Sequence, residues 1–150
     1  MHISWQFLDK KAAAIKAIMS YDSMDFIIRN TDDEIEAERT KIVGFGSPKL
    51  SGLPGAHNPQ AGEERIINCL DEIDLMKERY LQAQEYMAWF KPAWDELSED
   101  EQYVLDTFFR NDEGYAAEVV SDYFGIERSS AYNKKNRALQ HLTTMLYGKN

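Results

Sequence analysis

Residues 117–139, AEVVSDYFGIERSSAYNKKNRAL, hold two short amphipathic patterns hinged on a glycine. Val120, Phe124, Ile126 and Ala131 take the inward positions, and Ser121 is small where two helices would approach closely. Gly125 sits where the chain needs a positive φ to turn between them. A surface loop has no reason to keep that spacing, and neither has an isolated amphipathic helix. A helix-turn-helix is expected here.

The second helix of the pair is expected from about Arg128–Ser129 to Tyr147. At about 100° per residue, an inward Ala131 turns Ala138, Leu142 and Met145 inward as well. The opposite side then shows Ser129, Ser130, Asn133, Asn136, Arg137 and Gln140. These short polar groups and one guanidinium are the kind that hydrogen-bond base edges in a major groove. Arg128 and Lys134 flank that face, where phosphates would run. Tyr132 is placed to pack on a sugar or donate its hydroxyl to a phosphate. Lys135 points toward the core side and must carry its ammonium out to water. The expected DNA-binding set is therefore Arg128, Ser129, Ser130, Tyr132, Asn133, Lys134, Lys135, Asn136 and Arg137. A trihelical unit that binds protein instead is the competing explanation.

Charge bears on that choice through its distribution. The 150 residues carry 17 Lys+Arg and 26 Asp+Glu, a net of −9. From Ile126 to Asn150 five basic residues face a single acid, a local +4, which leaves −13 on the rest. Screening over about 8–10 Å lets such a patch act semi-independently. With about four phosphate contacts, affinity should fall on the order of 100-fold between 50 and 200 mM salt. Binding that weak points to a dimer or a helper protein.

Upstream, Ser98-Glu99-Asp100-Glu101 has the form of a capping box, and its acids suit the positive end of a helix dipole. Tyr103, Val104, Leu105, Phe108 and Phe109 would supply the apolar face over the two later helices, and Arg110–Tyr115 reads as a turn. About fifty residues is small for an independent core, so this unit is expected to lean on what precedes it. There Ile66, Cys69, Ile73, Met76, Tyr80, Ala83, Met87, Phe90 and Trp94 alternate steps of three and four. That seam predicts a long helix from about Glu63 to Phe90, with Leu70, Leu75 and Leu81 widening the stripe and Pro92 ending or kinking it. Met24, Ile28, Ile35 and Ile42 form a sparser stripe in Tyr21–Val43, and Trp5, Leu8, Ala12, Ile15 and Met19 a separate first helix. Residues 44–62, rich in Gly and Pro, read as a loop. The expected fold is all-α: N-terminal helices with a long coiled-coil-like hairpin over residues 1–95, then a trihelical helix-turn-helix unit over 96–150. Pairing of the long helices within one chain or between two stays open.

The order is a charged helix, a loop bearing Ser-Pro and Gly-Leu-Pro, a long heptad helix, a Leu-Ser-x-x-Glu start, and a helix-turn-helix ending in Arg-Ala-Leu-x-x-Leu. It resembles phage transcriptional regulators of the ArpU/RinA type, whose C-terminal unit looks like region 4 of bacterial sigma factors. Leu97, Ser98, Glu101, Val104 and Leu105 carry the likeness in the entering helix. Ala117, Val120, Gly125, Ile126, Ala131, Tyr132, Arg137, Ala138, Leu139 and Leu142 carry it in the motif. Glu127 departs from the usual serine cap, and Asn133 and Lys134 depart from arginine and an apolar residue. The resemblance implies promoter binding that activates phage late or packaging genes, with contact to RNA polymerase.

Other chemistry is poorly supported. Gly44-Phe45-Gly46 lacks the strand and third glycine of a phosphate cradle. His2, His57, His141 and the lone Cys69 assemble no zinc set or Cys/His pair by spacing, and no cofactor is expected. The acidic run Asp32–Glu38 reads as a solvated helix face starting at a Thr31 or Asp32 cap. One cysteine suits the cytosol, no apolar run reaches the ~20 residues of a membrane span, and the N-terminus lacks signal-peptide order. A cytoplasmic DNA-binding transcriptional regulator is the leading expectation, its partners double-stranded DNA, RNA polymerase and a second copy of the chain. A small terminase-like DNA-packaging protein and a protein-interaction adaptor with no DNA role are the alternatives. An enzyme is not expected.

Overall fold

A computed structural model describes residues 7–46, 59–111 and 114–149, and the chain is all-α. Helix α1 spans Lys10–Gly46 and α2 Pro59–Asp95; α3, Glu99–Leu105, continues as one π-helical turn over Asp106–Arg110. Then come α4, Ala116–Phe124, and α5, Arg128–Tyr147. No strand occurs among the described residues. Trp5, and the Ser-Pro and Gly-Leu-Pro motifs, lie outside them.

Contacts divide the chain into two compact units, one of Met24–Glu85 and one of Met1–Ser23 with Tyr86–Asn150. The expected boundary at residue 95 thus falls inside the second unit. The C-terminal helices do lean on earlier chain, as their small size required.

In the Met24–Glu85 unit, every seam position from Ile66 to Ala83 is buried or half-buried, and Cys69, Ile73 and Ala83 are buried. Leu70, Leu75 and Leu81 do not widen the seam; they stand exposed on other faces of α2. The α1 side of the seam runs Met24, Ile28, Thr31, Ile35, Glu38 and Ile42. Two of those positions are polar, which is why the stripe looked sparse. Thr31 satisfies its buried hydroxyl by donating to the Ile27 carbonyl at 2.5 Å. Glu38 accepts from Lys41 Nζ at 2.6 Å and from the Cys69 thiol. Because Glu38 is near the end of α1 and Cys69 near the start of α2, the two arms run antiparallel within one chain. The acidic run Asp32–Glu38 lies inside α1 rather than at a cap.

Three boundaries differ from expectation. The first helix and the Tyr21–Val43 helix are one, because no glycine or proline interrupts residues 10–43. Its buried stripe near the start is Ala14, Ala17 and Ile18, while Leu8, Ala12 and Met19 are exposed. At the Gly/Pro segment, α1 reaches Gly46 and α2 starts at Pro59, where proline's fixed φ suits a first helical turn. Pro92 neither ends nor breaks α2, which continues to Asp95. Flanking residues bury Phe90, Ala93 and Leu97 in the main core, and that packing offsets the lost backbone hydrogen bond.

The other unit has two cores. Ala14, Ala17 and Ile18 of α1 meet Phe90, Ala93 and Leu97, Leu105 of α3, and Ala138, Leu139, Leu142 and Leu146 of α5. A smaller core joins Val104, Val120 and Ala131, with Tyr103, Phe108, Phe124 and Ile126 around it. The apolar residues of α3 and its π turn therefore cover two faces: Val104 and Phe108 join α4 and the first turns of α5, while Leu105 and Phe109 join α1, α2 and the later turns of α5. Phe90 stacks on Tyr86 and Trp94 at ring separations of 5.3 and 5.6 Å. The Tyr86 hydroxyl donates to the Ala17 carbonyl, and burial raises its pKa above the ordinary tyrosine value.

Gly125 ends α4 at φ 63°, ψ 42°, and both it and Ile126 donate to the Ser121 carbonyl. A Cβ placed there would meet nothing within 4 Å, so any penalty is conformational. Gly125→Ala should accordingly cost about 1–2 kcal/mol, the penalty of a left-handed L-residue, and Gly125→Asn less. Thermal melts of the two variants check the order.

Candidate nucleic-acid interface

The surface in question is the outward side of α5, and its placement begins at α3. Ser98 accepts from the Glu101 amide at 3.1 Å while Glu101 Oε1 accepts from the Ser98 amide at 3.1 Å, a complete capping box. The second carboxylate oxygen of Glu101 meets His141 Nδ1 of α5 at 2.8 Å. One side chain thus closes the start of α3 and fastens α5 to it. Burial opposes the charge on Glu101, but the hydrogen bonds from His141 and Ser98 outweigh it and hold the carboxyl below its ordinary value of 4.5.

On the far side of α3, Arg110 closes the π-helical turn; it belongs to that turn rather than to a following loop. Its guanidinium bonds Asp106 at 2.9 Å and Asp22 of α1, and stacks over the Tyr21 ring at 4.8 Å. Arg110 Nε is buried without a partner. Burial raises the Asp106 pKa, against the pull of Arg110.

With its back fixed in this way, α5 buries Ala131, Ala138, Leu139, Leu142, Thr143 and Leu146. The Thr143 hydroxyl is satisfied by the Leu139 carbonyl at 2.6 Å. Met145, expected inward, is half-buried. Arg128, Ser129, Tyr132, Asn133, Asn136 and Arg137 are exposed, and Ser130, Lys134 and Lys135 are half-buried. Asn133, Asn136, Arg137 and Gln140 line one groove of 660 Å³ with His141, Thr144 and, from α1, Lys11. Arg137 also borders a groove of 330 Å³ shared with Asp100, Glu101 and Lys134. It therefore has amides on one side and carboxylates on the other.

The cations are held by different means. Arg128 pairs with Glu118 at 3.2 Å, but both are well exposed, so the pair is worth about 0–1 kcal/mol. Lys134 lays its ammonium over the Phe124 ring at 4.6 Å. Lys135 reaches the surface between the rings of Phe108 and Tyr132, at 5.3 and 5.2 Å. Its inward-pointing Cα is thereby reconciled with a surface charge. The rings set where the two ammoniums stand.

Two features lie outside the expected site. Lys11 is 122 residues from Asn133 in numbering (133 − 11), and only the fold brings it to the groove. Tyr115, Val119 and Tyr123 make an exposed stripe on and just before α4, whose i, i+4, i+8 spacing was present but unread.

No His/Cys/Asp/Glu group among the described residues could hold a metal ion, and no described helix is long and apolar enough to cross a membrane. Neither a family model, a curated protein nor a solved structure matches this chain.

The depressed pKa of Glu101 fixes a sign. Its stabilising contribution is present above its unfolded pKa and is lost as pH falls through the lower folded value. Asp106 moves oppositely, so wild-type acid unfolding sums both. The difference between wild type and Glu101→Gln isolates Glu101: the variant should be less stable near neutrality, and the gap should close as pH drops below 4.5. Urea denaturation at stepped pH measures it; a gap that widens on acidification would contradict the arrangement.

Proposed function

We propose that this chain is a sequence-specific DNA-binding transcriptional regulator that reads bases with α5. The observation that supports it best is the single row of Asn133, Asn136 and Arg137 along one groove on a helix whose other side is buried. Ser129 and Ser130 extend the base-reading face toward the helix start. Amides and a guanidinium can bond base edges in two places at once, which surface chemistry for protein recognition does not require. Arg128, Lys134 and Lys135 flank the row and hold the backbone, while Tyr132 packs against a sugar.

The likeness to ArpU/RinA-type regulators supplies the biological setting: phage late or packaging genes, with RNA polymerase as the second partner. The acidic remainder of the chain lowers non-specific affinity, so a second copy on an adjacent half-site strengthens binding.

Selection from a randomised duplex pool tests the function, since a non-binder enriches nothing. On the selected duplex, Arg137→Ala should lower sequence preference by about 1–3 kcal/mol, the scale of one bidentate base contact. Lys134→Ala should weaken all DNA alike and flatten the salt slope by about one unit. Fluorescence anisotropy at several salt concentrations separates the two effects. If both variants bind as wild type does at low salt, α5 is not the reading helix.

A further inference from the structure

We propose that Lys11 of α1 holds a DNA backbone phosphate beside the later turns of α5, so that two elements far apart in sequence build the binding surface. This rests on the DNA-binding role proposed for α5.

The groove along the outward side of α5 takes one lining residue from another element, Lys11. A neighbouring groove of 240 Å³ brings Asp9, Lys10 and Lys11 together with Gln140 and Thr143. An ordinary structural reason for a lysine here would be a carboxylate on the facing helix. There is none, because α5 contains no Asp or Glu. Nor does Lys11 pair with any other described residue. The nearby acids are committed: Asp9 accepts from the Ala12 amide at 3.1 Å, and Glu101 holds His141 and the Ser98 amide. On α5 the Lys11 side chain therefore faces an acid-free wall of amides and hydroxyls, and it makes no ion pair with Asp9 beside it.

Distances along α5 say which part of DNA reaches that wall. Bases are read near the start of a recognition helix. Gln140 lies twelve residues after Arg128 (140 − 128), about 18 Å farther along the axis. Gln140 and Thr144 follow Arg137, the last residue assigned to base edges, so the later turns point to the rim of the groove, where the phosphates stand. Gln140 already donates its amide to the Thr144 hydroxyl at 3.3 Å. With Lys11 they present an ammonium, an amide and a hydroxyl, a donor set suited to a phosphate diester.

The test titrates wild type, Lys11→Ala and Lys11→Arg against a mixed-sequence duplex of about two helical turns and against the selected duplex, over about 50–200 mM salt. Lys11 is exposed, so the variants should melt as wild type does by circular dichroism. Lys11→Ala should weaken both duplexes equally and flatten the slope of log Kd against log salt by about one unit. Lys11→Arg should restore it. A wild-type slope for Lys11→Ala, while Arg137→Ala loses sequence preference, overturns this inference and leaves the function standing. A change in preference between the duplexes also overturns it. If wild type binds neither duplex, both proposals fall.

Discussion

The unit that carries α5 depends on α3 serving two cores at once. It is seven residues long before its π turn, yet Val104 closes the core under the helix-turn-helix and Leu105 the core shared with α1 and α2. Adjacent residues in a helix point about 100° apart, so a wall with two apolar faces leaves little surface for solvent. The capping box holds one end of this wall and the Arg110–Asp106–Asp22 cluster the other. A half-buried ion cluster of this kind adds little net stability over an apolar equivalent, but removing one partner would leave a charge without its pair. Its value here is geometric: it ties Asp22 of α1 to the π turn that follows α3.

From that wall follows the orientation of α5. Its first turns pack on the small core through Ala131, its later turns on the large core through Ala138, Leu142 and Leu146. A helix held at both ends by different cores cannot rotate about its axis without exposing one of them. The polar row from Asn133 to Gln140 is therefore aimed by apolar residues that touch no ligand. The aromatic rings under Lys134 and Lys135 extend the same principle to the cations. They restrict long side chains that would otherwise sample many rotamers.

Much of this was legible in the sequence because it is local. Gly125, the Ser98–Glu101 box and the three–four seam of α2 each declare themselves within a few residues, and each occurs where the pattern puts it. What could not be read depends on distant chain. Ala12 and Met19 were placed on the wrong side of α1, because small residues such as Ala14 and Ala17 give little hydropathic contrast until a neighbour is known. Pro92 read as a stop, since its local penalty is visible and the compensating burial of Phe90 and Ala93 is not. The two faces of α3 merged into one because five apolar residues in seven fit several phases. On the interface, the exposed row of α5 was readable by periodicity, whereas Lys11 was invisible: nothing near it in sequence differs from any solvated lysine. Its meaning comes entirely from the acid-free helix the fold sets beside it.

The Met24–Glu85 unit shows the opposite use of polar residues, inside a seam rather than beside one. Thr31 and Glu38 weaken the apolar contact between the two arms, and a Leu at either site would bury more surface. What Glu38 contributes is discrimination. In register, its carboxylate accepts from Lys41 and the Cys69 thiol, and Cys69 in turn is pushed up in pKa by burial and by that bond. A slip of one heptad would set Glu38 against Met76, which has no hydrogen to donate, or against Gly62, which has no side chain. Apolar seams tolerate such slips, because one Ile replaces another at little cost. A single polar position therefore does for the register of the two arms what burial alone cannot.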